Sequence, residues 1–83
     1  SIPSEVLHFN GEVKEIGDGN LLVTYLSTAD GFMELSDGDY VMSTDNLLDE
    51  VQEGDVVTIW FGGIILETAP AQLTNVYRIE KAE

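Results

Sequence analysis

The chain has no cysteine, one histidine, one tryptophan, two prolines and only three cationic side chains among its 83 residues. Each scarcity removes a class of chemistry. Without cysteine there are no disulfides, no thiolate metal ligands and no cysteine nucleophile. Lys14, Arg78 and Lys81 stand against sixteen Asp and Glu, giving a formal net charge of -13. Three cations cannot form the basic stripe that neutralises phosphates, so neither nucleic acid nor an anionic membrane surface is an expected partner. The longest apolar stretch, Ile59 to Leu66, holds two glycines and falls far short of the roughly 20 residues needed to span a bilayer. Membrane insertion of this segment is not expected. His8 has no Ser or Cys arranged around it as a triad, and Gly17-Asp18-Gly19 lacks the third glycine and following helix of a dinucleotide loop. No cofactor and no enzymatic activity are expected.

What is present is enough for one packed interior. A hydrophobic content of 43%, rich in Val, Ile, Leu and aromatic residues, suits a single domain over 1–83, too short for two independent cores. Carboxylates in this number form a solvated face that keeps a domain soluble, and they leave cations and basic proteins as electrostatically compatible partners. A start at Ser1-Ile2-Pro3 without Met is expected of a processed or trimmed product.

Turn residues divide the chain. Leu7 to Ile16 alternates, with Leu7, Phe9, Gly11 and Val13 on one side, and reads as a half-buried strand. Gly17-Asp18-Gly19-Asn20 tolerates positive φ and reads as a tight hairpin turn. Asn20 to Ser27 is apolar on both faces, the pattern of a central strand. A third strand is expected over Phe32 to Leu35, interrupted at Ser36-Asp37-Gly38-Asp39 and resuming at Tyr40-Val41-Met42. From Ser43 the spacing becomes helical, with Leu47, Leu48 and Val51 on one stripe, Ser43 or Thr44 as cap and Gly54 as terminator. Asp55 to Phe61 is the fourth strand, Ala69 to Thr74 one helical turn with Pro70 at its first position, and Asn75 to Glu80 the closing strand. The expected fold is therefore mainly β: a small five-stranded OB-like barrel with one short helix between strands 3 and 4. An SH3-like barrel or an open α+β sheet is the alternative.

Two groups of residues are candidates for chemistry. Asp37, Asp39, Asp45 and Asp49, with Asp30 nearby in sequence, are the densest carboxylate cluster and carry the oxygen ligands that suit Ca²⁺ or Mg²⁺. Their spacing is not that of an EF-hand: counting from Asp37, Met42 stands at the obligatory glycine and Leu48 at the closing glutamate. Turn formation and helix capping explain these aspartates, so no metal site is assigned. The second group lies in Trp60-Phe61-Gly62-Gly63-Ile64-Ile65-Leu66-Glu67-Thr68-Ala69-Pro70-Ala71-Gln72, a connection between strands 4 and 5 of the kind that lines the binding face of an OB fold. Trp60, Gly62, Gly63, Glu67, Pro70 and Gln72 are the candidate ligand-binding residues. A purely architectural reading of the same residues has Gly62-Gly63 turning a barrel corner while Ile64 to Leu66 plug its end.

This segment resembles the YobA-like family of bacterial proteins of unknown function. The shared residues are Val57, Ile59, Trp60, Gly62, Gly63, Ile64, Glu67, Pro70, Ala71, Gln72, Ile79 and Glu80, and Glu53-Gly54-Asp55-Val56 is similar to the entry into the family's penultimate strand. Leu66 is an extra aliphatic, and Thr68-Ala69 stands where the family has Ser-Tyr. The resemblance covers about the last third of the chain and brings no activity. It implies a secreted or lipid-anchored protein of a Gram-positive-type envelope. The resulting expectation is a non-enzymatic extracytoplasmic binding module for a protein, peptide or envelope polymer. The alternatives are an acidic inhibitor or decoy of a basic protein, and a structural domain of a larger chain.

Overall fold

The computed structural model describes residues 6–28 and 35–82. Among them are seven strands and no helix: β1 (Leu7–Gly17), β2 (Asn20–Thr28), β3 (Asp39–Ser43), β4 (Val56–Phe61), β5 (Ile65–Leu66), β6 (Ala71–Leu73) and β7 (Val76–Lys81). They form one sheet in the order β5-β6-β3-β2-β1-β4-β7. All pairings are antiparallel except β3 with β6.

The β1–β2 turn forms as its residues dictate. Asp18 and Gly19 have φ of 55° and 78°, the two positive values that a hairpin turn matching the strand twist requires. Beyond it, β1 and β2 slip register twice, between Asn10 and Gly11 and between Val13 and Glu15. Such bulges bend a strand and increase its twist, which lets a single sheet curve around its own inner face. That face carries Phe9, Leu21, Val23, Val57, Ile59 and Ile79, all inaccessible to solvent. Phe9 lies at the centre, with its ring 5.8 Å from Phe61 edge-on and 5.6 Å from Tyr40.

Three expectations are corrected. The closed five-stranded barrel is an open seven-stranded sheet, because β6 takes the edge of β3 and the strand ladder ends at β5 and β7. The helix expected from Ser43 does not form, and the segment spends its polar groups on β7 instead. Leu47 makes a parallel bridge to Ile79, the Leu48 amide donates to the Ile79 carbonyl, and the Ile79 amide donates to the Asn46 carbonyl. The Asn46 side chain donates to the Val76 carbonyl, and the Asp49 carboxylate accepts the Lys81 amide. A short isolated helix is marginal in water, whereas this route covers part of a sheet edge that would otherwise present unpaired groups. Finally, the helical turn expected over Ala69 to Thr74 holds strand β6 instead, where Ala71 and Leu73 turn inward and Gln72 outward. The expected Phe32–Leu35 portion of the third strand lies almost wholly outside the described residues; the resumption at Tyr40 is β3.

Candidate functional site

The six sequence-selected residues fall into two places. Trp60 is on the outer face of β4, between Val57, Ile59 and Phe61, whose alternate side chains are buried. Its register neighbours are His8 on β1 and Arg78 on β7. His8 stacks on the indole at 5.4 Å and 25°, and the Arg78 guanidinium lies 5.4 Å from the ring centroid. Arg78 also holds Glu80 through two hydrogen bonds of 2.7 and 3.1 Å. Trp60 is thus the middle of a cross-strand ladder whose neighbours flank it on both sides, rather than an open stacking platform.

Gly62 and Gly63 end β4 for steric reasons. A Cβ on Gly62 would run into the Asn75 side-chain amide, and the Gly62 amide donates to the Asn75 carbonyl at 2.8 Å. Gly63 has a φ of 88°, a conformation open to glycine. Both are architectural: they aim the chain into β5 and the bend that follows.

That bend is held from within. The Thr68 hydroxyl donates to the Pro70 carbonyl at 2.7 Å and accepts from the Gln72 amide at 3.2 Å, and Ala69–Pro70 is cis. The parallel pairing of Ala71 with Tyr40 and Gln72 with Val41 then docks the bend beside β3. As a result Pro70 forms a wall shared by two adjoining grooves over the outer face of β2 and β3. One, of about 380 Å³, has Ile16, Leu22, Val41 and Pro70 as its apolar lining, with Glu15 and Asp18 beside them. The other, of about 460 Å³, has Leu22, Tyr40 and Pro70, with Asp37, Asp39 and Glu67 at its rim.

Glu67 and Pro70 are therefore in the grooves, Gln72 braces the bend, and Trp60 belongs to a surface separated from β6 by β3, β2 and β1. Leu22 and Val41 were missed as site residues. Their signal was present: they are cross-strand partners, and Leu21-Leu22-Val23 and Tyr40-Val41-Met42 are apolar on both faces although only one face meets the core.

Electrostatics differ among the rim carboxylates. Lys14, unpaired at a bulge of β1, reaches across β2 to Asp39 at 3.0 Å, and the Thr24 hydroxyl donates to the same carboxylate at 2.9 Å. The Lys14 hydrogen bond first, and then that from Thr24, holds the Asp39 carboxyl below its ordinary 3.8. A lowered folded-state value stabilises the fold above the ordinary range, and the contribution is lost as pH falls through the folded value. Lys14→Met is expected to move the Asp39 titration upward toward 3.8 when the carboxyl carbon shift is followed against pH; an unmoved curve would show that the ion pair does not form in solution. Tyr40 donates to the Ser36 carbonyl at 2.6 Å. Burial raises its phenol, and the charges of Glu67 and Asp37 add to the rise.

The aspartates proposed from sequence as weak cation ligands are not assembled. Asp37 and Asp39 share a groove, Asp45 lies at a separate depression beside Leu73, and Asp49 caps the Lys81 amide. Asp30 lies outside the described residues. Among the described residues no group of three or more His, Cys, Asp or Glu could hold a metal ion. All three cations are already engaged: Lys14 with Asp39, Arg78 with Glu80 at 2.7 Å and Lys81 with Asp55 at 3.6 Å. Comparison of the chain with known protein families, curated proteins and solved structures gives no match.

Proposed function

We propose that this chain is a non-enzymatic binding module whose ligand sits against Leu22 and Val41 under the wall formed by Pro70. The observation that carries the reading is the seating of Pro70 between two adjoining grooves on the outer face of β2 and β3. In an OB fold the same face, bounded by the first hairpin turn and the connection before the last strand, is the usual ligand surface. An OB-like ancestry is supported by the pairing of β1 with both β2 and β4, of β4 with β7, and by the Leu47–Ile79 bridge that joins the chain leaving β3 to β7.

The YobA-like resemblance supports an extracytoplasmic, secreted or lipid-anchored setting. A second reading, an acidic inhibitor or decoy acting through overall charge, is favoured by the pairing of every cation with an acid. Small uncharged probes separate the two. With phenol or isopropanol, amide shifts are expected to concentrate at 16–22, 39–41 and 67–71. Shifts confined to the neighbourhood of His8, Trp60 and Arg78, or no localised shifts, would overturn the groove.

A further inference from the structure

We infer that the occupant of this groove is an extended cationic stretch of polypeptide, with an apolar side chain seated on Leu22 and Val41 and lysines or arginines facing the acidic rim. The inference rests on the groove reading above and adds the chemistry of the partner. Leu22, Val41 and Pro70 give the grooves apolar surface among their polar lining, which a purely ionic ligand would leave uncovered and on which a hydrocarbon side chain gains from burial. Acids stand on both sides of Pro70: Glu15 and Asp18 at one groove, Asp37 and Glu67 at the other, with Asp39 there already paired to Lys14. Lys14 is the cation nearest this rim, and it is held by Asp39. Burial is the main reason the Tyr40 phenol is harder to ionise, and the charges of Glu67 and Asp37 add to it.

Other occupants fit less well. Phosphate-bearing polymers would meet carboxylates and no available cation. A second copy would bring another net charge of -13 against the first. A bare metal ion lacks the three ligands it needs among the described residues. An extended peptide, by contrast, points alternate side chains the same way about 6.6 Å apart, which suits two adjoining grooves sharing Leu22 and Pro70.

Calorimetry with three blocked peptides tests this: one alternating lysine and leucine, one with glutamine in place of lysine, and one of lysine alone. The lysine–leucine peptide is expected to bind most tightly, and to weaken about tenfold or more from low to high salt as the rim charges are screened. Glu67→Gln, which leaves Leu22 and Val41 untouched, is expected to weaken it about two- to fivefold. Val41→Lys, which puts a cation in the apolar lining, is expected to abolish it. Equal binding of the glutamine peptide would overturn the cationic partner while leaving the groove standing. Equal binding of the lysine peptide would reduce the effect to diffuse attraction and overturn the inference. Binding unaffected by Val41→Lys would remove the groove as well. No binding of any peptide would overturn the partner class, with the phenol and isopropanol shifts deciding the groove separately. A dimer in sedimentation that Val41→Lys dissociates would assign the face to a second copy and overturn the peptide.

Discussion

Replacing Phe9 with alanine is expected to destabilise the domain by about 3–5 kcal/mol. Phe9 is fully buried and its ring meets those of Tyr25, Tyr40 and Phe61 at 5.6 to 5.9 Å. It therefore joins side chains from β1, β2, β3 and β4, and its removal leaves a cavity at their common contact. For an 83-residue chain the whole stability is roughly 4–12 kcal/mol, so a loss of this size removes a large share of it. Urea unfolding followed by tyrosine and tryptophan signals should show a lower midpoint with an unchanged slope. A loss below about 0.5 kcal/mol, the range of ordinary surface changes, would mean that the sheet does not wrap around Phe9.

The second large effect concerns Gly11, which is buried on the inner face of β1 beside one of its register slips. An added Cβ would lie 2.9 Å from Val23 Cγ2 and 3.1 Å from both Val23 Cβ and the Thr24 carbonyl oxygen. The Val23 methyl could rotate away, but its Cβ and the backbone oxygen cannot, so β1 and β2 must separate. Gly11→Ala is expected to destabilise the fold by about 1–3 kcal/mol. Gly17→Ala is the matched control, because a Cβ there meets nothing within 4 Å; it should stay within about 0.5 kcal/mol of the parent. Equal effects at the two positions would contradict the close approach of β1 and β2.

The four long strands were legible because alternation and turn chemistry agree. Val57, Ile59 and Phe61 define the inner face of β4 by period alone, and Gly17-Asp18-Gly19-Asn20 can hardly be anything but a hairpin turn. The helix was misread because Leu47, Leu48 and Val51 satisfy helical spacing, yet Leu47 and Val51 pack against the core from an extended segment while Leu48 faces away. Leu48 is 61% exposed, and the backbone around it finds its partner on β7, more than thirty residues away. Local pattern cannot announce such a partner. The same holds for β6: Pro70 at the start of a helical turn is locally sound, but pairing with Tyr40 and Val41 wins. At the candidate site, Glu67 and Pro70 do line the grooves, whereas Trp60 was grouped with them only because it is close in sequence. The fold sends Trp60 to a ladder with His8 and Arg78 and brings Leu22 and Val41 to Pro70 instead.

Everything proposed about the groove depends on β6 lying parallel to β3, since that pairing is what carries Pro70 over Leu22 and Val41. Proton NMR of the backbone tests it directly. Cross-strand contacts between Tyr40 and Ala71 and between Val41 and Gln72, with slowed amide exchange along β6, are the expected result. Strong sequential amide–amide contacts from Ala71 to Thr74, with none to β3, would mean that this segment is a helical turn after all and that no groove forms beneath Pro70.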